Sequence, residues 1–368
     1  MYNNWSMQAF QQFFFQKSGF FVEDTTNWRV SCFYYYFCQY NMLISYGWEM
    51  VLSVSRKEGF CMHIALLTHL KNDNDMMRFK GTGVALITPF DENQEVDKDS
   101  LVRLVKHVIE GGVDFLVVLG TTAETATLSS AEKAEVAEIV VHENRGRLPL
   151  MAGVGGNNTR EVVRELKEYG WLKHFQGVLS ITPFYNKPNQ LGLFEHFRQV
   201  AEASPLPLCL YNVPGRTGVN MSASTITRLA AECPNIIALK EASGCMDQAT
   251  EILREKRNDF TLLSGDDALT LPLMSLGFEG VISVMANIMP GACSNMVNSV
   301  RNGNYPEAQK IHLSLSLLCR ALFEEGNPAG VKAALHAAEI IRHNVLRLPL
   351  TPVSTELYAR ICKYISRN

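Results

Sequence analysis

The chain has 368 residues, 47% of them hydrophobic, and a formal net charge of -3 at pH 7. Such a chain can bury a large core, and one large domain with a smaller one is the expected organisation. Acidic and basic residues nearly balance, which excludes the basic surface that nucleic acid or an anionic membrane would require; we expect a small-molecule partner. The nine cysteines show no C-x-x-C spacing, which indicates neither a disulfide framework nor a zinc site and is typical of a reducing cytoplasm.

The first 77 residues differ in composition from the rest of the chain. They are rich in aromatic residues, with runs such as FFF at 13–15 and FYYYF at 33–37, and they show no clear periodicity. They lack the features of a secretory signal, and polar residues interrupt their least polar part, 31–54, which argues against a membrane span. We therefore expect 1–77 to lie outside the functional fold, as an extension added by translation from an upstream start. Mass spectrometry of the native N-terminus tests this expectation.

From residue 78 onward, short apolar runs alternate with amphipathic segments. The runs predict strands at 83–88, 115–119, 150–154, 177–181, 208–211, 236–240, 261–264 and 281–284. The segments between them predict helices at 98–110, 131–143, 160–169, 191–202, 223–232, 246–257, 268–276 and 290–300.

This alternation predicts an α/β fold, a (β/α)8 TIM barrel over 78–302. The structural alternative is an open doubly wound sheet, but no G-x-G-x-x-G turn opens a helix after the first strand. Further helical patterns at 306–325, 329–342 and 355–365 predict a small C-terminal helical domain, 303–368.

Lys240 is the most informative residue at the predicted strand ends. It follows the apolar run 236–239 and precedes a loop that ends in glycine. Burial of such an amine would disfavour its charged form and leave it able to attack a carbonyl carbon. A lysine after a strand is more commonly a solvated charge, so the other strand ends have to support the interpretation. In a barrel the carboxyl ends of the strands face the active site.

The other strand ends carry further groups for carbonyl chemistry. Their sequences are GTTAET at 120–125, TPFYNKP at 182–188, YNVPGRTG at 211–218, SGDD at 264–267 and SVMAN at 283–287. Each group alone is commonly structural, as a helix cap, a packed ring or a solvated turn. Together they offer phenols and hydroxyls that can transfer protons and an arginine that can bind a carboxylate, a combination that indicates an active site.

The chain from residue 78 onward resembles the dihydrodipicolinate synthases, a family within the pyruvate-dependent class I aldolases and lyases. The resemblance rests on five motifs in the family's order and spacing: GTTAE at 120–124, YNVPGRTG at 211–218, IALKEASG at 237–244, LSGDD at 263–267 and GVISV at 280–284. It implies Schiff-base condensation of pyruvate with L-aspartate-4-semialdehyde in diaminopimelate and lysine biosynthesis. It also implies that no metal or organic cofactor is required.

The resemblance implies a catalytic role for four residues. Lys240 would form the imine with pyruvate, and Tyr211 would shuttle protons. Thr121 would link Tyr211 to Tyr185, which would reach into the site of a neighbouring subunit. The family is mostly a homotetramer built as a dimer of dimers, so the same assembly is expected here.

Four further residues would bind the substrates. Thr122, Gly265 and the backbone of Ile282 would hold pyruvate, and Arg216 would grip the carboxylate of the semialdehyde with its planar fork. The arginine and the threonine pair favour the synthase over a related aldolase such as N-acetylneuraminate lyase, in which the arginine is not expected. A catalytically silent barrel that binds a keto acid is the second alternative, and the intact lysine, tyrosines and threonines argue against it.

The chain departs from the family pattern in two regions. Ala123 stands where glycine is usual after the threonine pair, which adds a methyl group and leaves both hydroxyls in place. Asn157 and Glu161 match the allosteric cleft at which lysine inhibits some members, but Ser130 and Lys133 fall where sensitive members often have histidines. Because the charge of Lys133 would repel a cationic ligand, we expect weak or absent inhibition by lysine.

Overall fold

The computed structural model describes residues 79–366 and three short strands nearer the N-terminus: Arg29–Val30, Met50–Ser53 and His63–Ala65. The chain divides into two compact units, Met1–Met76 and Met77–Asn368. In the first unit the three strands pair antiparallel in chain order. Apart from these strands, the predicted extension 1–77 lies outside the described residues, and its exclusion from the functional fold stays a prediction.

Eight parallel strands of the second unit close into a barrel. They are β1 Gly81–Ala85, β2 Phe115–Val118, β3 Leu150–Gly153, β4 Gly177–Ile181, β5 Leu208–Asn212, β6 Ile236–Glu241, β7 Thr261–Ser264 and β8 Gly280–Ser283. Each strand pairs with the next in the chain, and β8 returns to β1. Their residues are almost all buried, as expected of parallel strands covered on both faces. The predicted barrel is confirmed.

Helices follow the strands on the outside of the barrel. They are α1 Lys98–Glu110, α2 Ser130–Asn144, α3 Thr159–Glu168, α4 Gln190–Ala203, α5 Ala223–Glu232, α6 Met246–Glu255, α7 Thr270–Leu276 and α8 Pro290–Arg301. The predicted C-terminal helical region consists of α9 Tyr305–Glu324, α10 Ala329–Ala337 and α11 Thr355–Ile365. Within the described ranges, no helix has the length and apolar character that crossing a bilayer requires.

The side chains of each strand alternate between the barrel interior and the layer beneath the helices. On β2, Phe115 and Val117 point into the barrel, whereas Leu116 and Val118 pack under the helices. Gly83 on β1 makes room for the Phe115 ring, since a Cβ at Gly83 would lie 2.2 Å from it. The interior is therefore filled with side chains, and a site has room at the carboxyl ends of the strands.

One predicted helix is shorter than its sequence pattern indicates. The pattern predicts 329–342, but α10 ends at Ala337. Glu339 adopts a left-handed conformation with φ 59°, and the backbone N–H of Ile340 donates to the Leu335 carbonyl over 2.9 Å. Arg103 on α1 then donates to the Ile340 carbonyl over 3.0 Å. The local turn at Glu339 and Ile340, together with the tertiary contact from Arg103, outweighs the helical periodicity and ends the helix.

Candidate active site

Tyr211 and Lys240 lie side by side at the carboxyl ends of β5 and β6. They are partners in the register of the two strands, and Nζ of Lys240 lies 4.2 Å from the centroid of the Tyr211 ring. Both are buried, with 5% of Lys240 and 6% of Tyr211 exposed. The next pair in register is Asn212 and Glu241, in which Nδ2 of Asn212 donates to Oε2 of Glu241 over 3.1 Å. This second pair stabilises the register that holds the phenol beside the amine.

A cavity of about 740 Å³ opens over Lys240 at this end of the barrel. Its volume is in the range of small-molecule sites. The predicted site residues that line it are Thr121, Thr122, Tyr211, Arg216, Lys240 and Gly265. Helix α9 contributes part of the wall, including His312, Ser316 and Arg320. Among the described residues, no group of three or more His, Cys, Asp or Glu side chains is arranged to hold a metal ion.

The threonine pair lies on a single 3-10 turn, Thr121–Ala123, that directly follows β2. Thr122 is buried, and its hydroxyl accepts a hydrogen bond from Nδ2 of Asn327 over 3.0 Å. The hydroxyl of Thr125 donates to the Leu119 carbonyl over 2.8 Å and closes the loop. Ala123 is buried, so the packed loop accommodates the extra methyl group. The Ala123 carbonyl accepts a hydrogen bond from the Thr88 hydroxyl over 2.9 Å.

Arg216 lies on a short helix, Pro214–Thr217, after β5. One of its terminal nitrogens donates to the Asn327 carbonyl over 3.2 Å. The arginine is exposed on the cavity wall, where it can meet a carboxylate.

Gly265, at the end of β7, leaves room for the lysine side chain. A Cβ at this position would lie 2.7 Å from Cβ of Ala242 and 3.1 Å from Cε of Lys240. Any larger residue would therefore push against the side chain that carries the amine.

Two predicted site residues are not brought to the cavity of their own chain. Tyr185 is 87% exposed and is not among the lining residues. Its backbone has φ 70°, and its N–H contacts the Thr217 carbonyl at 3.4 Å. The side chain of Ile282 packs in the barrel interior, with 1% exposed. The roles expected of the Tyr185 phenol and of the Ile282 backbone stay predictions.

The predicted allosteric residues lie outside the cavity. Nδ2 of Asn157 donates to the Phe184 carbonyl over 3.2 Å, and Glu161 pairs with a neighbouring arginine. Nζ of Lys133 lies 3.8 Å from Oε1 of Glu165, so part of its charge is neutralised locally. This contact weakens the electrostatic argument against a lysine site, and the expected insensitivity to lysine stays a prediction.

Asn327 is a site residue that sequence reasoning missed. It lies between α9 and α10, its amide nitrogen donates to the Thr122 hydroxyl, and its carbonyl accepts from Arg216. The Asn-Pro dipeptide at 327–328 signals the end of a helical segment. Nothing in the pattern relates that boundary to the strand ends, because the contact depends on how the C-terminal helices pack over the barrel.

Comparison with known proteins identifies the family. The model of the dihydrodipicolinate synthetase family matches residues 78–368. The 4-hydroxy-tetrahydrodipicolinate synthase of Parabacteroides distasonis is 49% identical over 288 residues, which cover 77% of this chain and 95% of that protein.

Solved structures agree with this match. A dihydrodipicolinate synthase from Aquifex aeolicus superposes with a TM-score of 0.75 and is 40% identical, covering 78% of this chain and 98% of its own. The enzyme from Cyanidioschyzon merolae with lysine bound gives a TM-score of 0.74 and is 42% identical, covering 78% and 97%. These matches favour the synthase over the sister aldolases and the silent barrel. The chain belongs to the dihydrodipicolinate synthetase family, and its activity is that of a lyase, 4-hydroxy-tetrahydrodipicolinate synthase.

Proposed function

We propose that Lys240 is the amine that forms an imine with pyruvate, and that the cavity condenses this bound pyruvate with L-aspartate-4-semialdehyde. The observation that carries the proposal is a buried amine 4.2 Å from the centroid of a phenol ring, on the wall of a cavity of about 740 Å³. The reaction belongs to the synthesis of diaminopimelate and lysine.

The first half of the reaction prepares a carbon nucleophile. Lys240 attacks the keto carbon of pyruvate as the neutral amine, and loss of water gives an iminium ion. The iminium acidifies the pyruvate methyl group, and loss of a proton from that group leaves an enamine. Tyr211, whose ring centroid lies 4.2 Å from Nζ, moves the protons of these steps with its phenol hydroxyl. Thr121 lines the same cavity. In the proposed relay its hydroxyl links Tyr211 to the Tyr185 phenol of a neighbouring subunit.

The second half joins the two substrates and frees the lysine. The enamine carbon bonds to the aldehyde carbon, whose oxygen takes up a proton, and the iminium forms again. The amino group of the semialdehyde then attacks the iminium carbon and closes the ring, and the bond to Nζ breaks to return the free amine. Arg216 selects this aldehyde by binding its carboxylate with two parallel hydrogen bonds, which a lysine could not provide.

The assembly belongs to the same proposal. Tyr185 acts in the site of a partner subunit, within a homotetramer made of two dimers. The support is its exposure, since a tyrosine that is 87% exposed on a left-handed backbone is placed to contact another molecule. The chain works in the cytoplasm, where a reducing environment keeps its thiols free, as are the six described cysteines.

A substrate comparison tests the proposed activity. Pyruvate turnover is measured in one assay with L-aspartate-4-semialdehyde and in a parallel assay with N-acetylmannosamine. We expect turnover with the first aldehyde alone, and Lys240→Met, which keeps the length of the side chain without its amine, should reduce it to background. Turnover with N-acetylmannosamine alone would contradict the proposal and favour a sugar-acid lyase.

A further inference from the structure

The loop that carries Thr121 and Thr122 is bounded by residues in an unfavourable backbone conformation. Leu119 has φ 60° and Glu124 has φ 53°, both in the left-handed region that favours glycine. Residues other than glycine keep this conformation only where surrounding contacts enforce it. The contacts of the loop therefore determine where the two threonine hydroxyls lie.

Glu124 supplies the buried charged contacts of this loop. Its side chain is fully buried, Oε1 lies 2.5 Å from Nζ of Lys332 on α10, and Oε2 accepts from the Arg347 N–H over 3.0 Å. Lys332 is fully buried as well. Its Nζ also donates to the Val345 carbonyl over 2.9 Å and lies 4.1 Å from the centroid of the Phe90 ring. An amine of the C-terminal helical region thus holds the carboxylate at the end of the threonine turn.

Stability alone does not account for this pair. Desolvation of two charges costs about as much as their attraction returns, and apolar residues in place of a buried pair are often neutral or stabilising. Burial lowers the pKa of Lys332 to about 8, although Glu124 raises it, so the pair does not fully offset the cost of burying the amine. A buried pair is useful where it selects one arrangement of two elements.

We propose that Lys332 is a positioning residue for pyruvate: its ion pair with Glu124 fixes the threonine turn so that Thr122 meets the substrate. Lys332 does not line the cavity and acts through Glu124. Asn327 supports the same turn from the same region through its hydrogen bond to the Thr122 hydroxyl. This inference rests on the proposed role of Thr122 in holding pyruvate.

The test removes both charges together, in Glu124→Gln/Lys332→Met, so that neither is left buried without a partner. We expect the melting temperature to stay within about 5 °C of wild type, because a neutral replacement of a buried pair is tolerated. KM for pyruvate should rise about tenfold, while KM for the semialdehyde stays within about twofold. The matched control, Lys80→Met/Glu279→Gln, removes an ion pair at the amino ends of β1 and β8 and should change neither KM.

Three outcomes would overturn the inference. The first is a folded double variant with wild-type KM for pyruvate, and the second is an equal rise in both KM values, which would show general loosening of the site. The third is a double variant that does not fold, because the pair would then be needed for stability. Failure of the proposed function would be a separate result. In that case borohydride would trap no pyruvate on Lys240 of the wild-type enzyme, and the proposed role of Lys332 would be contradicted as well.

Discussion

In the proposed reaction, Lys240 and Arg216 divide the recognition of the two substrates between them. The proposed imine at Lys240 holds a keto acid and does not select the second substrate. The proposed contact with the Arg216 guanidinium selects an aldehyde that carries a carboxylate. Both residues could be placed at the cavity from the sequence, because Lys240 lies near the end of one apolar strand and Arg216 lies in the segment that follows another. The fold places these strand ends together. The place of Asn327 in the site could not be predicted from the sequence, since its contacts with Thr122 and Arg216 arise only when distant segments pack.

Arg216→Lys tests the recognition of the semialdehyde. The variant keeps the charge and loses the planar fork, so kcat/KM for the semialdehyde should fall about tenfold or more. Trapping of pyruvate by borohydride should not change. Arg198→Lys is the control, since Arg198 pairs with Glu195 on α4 and does not line the cavity. An unchanged kcat/KM in Arg216→Lys would argue that another group binds the carboxylate.

Gly265→Ala tests the space around the lysine. The new Cβ would approach Cβ of Ala242 at 2.7 Å and Cε of Lys240 at 3.1 Å, so the amine has to move. We expect the rate of pyruvate trapping to fall about tenfold, since small displacements of a reacting group are costly. Gly170→Ala is the control, because a Cβ there meets no atom within 4 Å. Trapping at the wild-type rate in Gly265→Ala would show that the lysine has more freedom than the packing implies.

At the scale of elements, the bounds of the strands could be predicted closely from the sequence. The conformation of the segment after α10 could not be predicted. Apolar runs of strand length identify buried parallel strands because both faces are covered, and the observed strands lie within a few residues of the predicted ones. The segment after α10 has helical periodicity but is not helical. The chain that continues from it places Arg347 against the barrel. There Arg347 donates to the Thr127 carbonyl over 2.8 Å and to the Gln94 carbonyl over 2.9 Å. Periodicity does not report such long-range bonds.

The ion pair of Arg347 with Glu132 on α2 makes the free energy of unfolding depend on pH. The hydrogen bond from Arg347 lowers the pKa of Glu132 from 4.5 to about 2. Because the pKa is lower in the folded state, the stabilisation is complete above pH 4.5 and is lost as the pH falls through 2. Glu132→Gln keeps a residue that suits the capping box with Ser129 and removes the charge.

The free energy of unfolding in urea, measured from pH 6 to pH 2, checks this prediction. Glu132→Gln should be less stable than wild type by about 2 kcal/mol at pH 6, and the difference should shrink toward zero near pH 2. A difference that stays constant over this range would show that the pair contributes no charge-dependent stability.

At the scale of the whole molecule, the sequence pattern predicted the barrel and the C-terminal helices, because each strand and helix has its own periodicity. Subunit contacts have no comparable signal. Tyr185 illustrates the difference. Its position after β4 could be predicted from the sequence, but in the structure of one chain its side chain is 87% exposed and does not line the cavity. Its proposed role depends on a second copy of the chain.

Mixed assemblies test that role. Lys240→Met and Tyr185→Phe chains are co-expressed with different affinity tags, and hybrids are purified through both tags. In a hybrid dimer, the intact Lys240 of one subunit meets the intact Tyr185 of the other, so activity should be at least about fivefold above either parent assembly. Tyr185→Phe alone should lose rate and still form the pyruvate imine. Hybrid activity equal to the mean of the two parents would place Tyr185 in its own subunit's site or outside catalysis.

The identity of the lysine that binds pyruvate is the most direct test of the whole account. Lys332 is also buried, and burial lowers its pKa to about 8, so amine reactivity alone would not single out Lys240. Only Lys240 of the two lines the cavity. After borohydride reduction in the presence of pyruvate, peptide mass mapping should find the reduced adduct on Lys240 and none on Lys332. An adduct on Lys332, or no adduct on any lysine, would contradict the account.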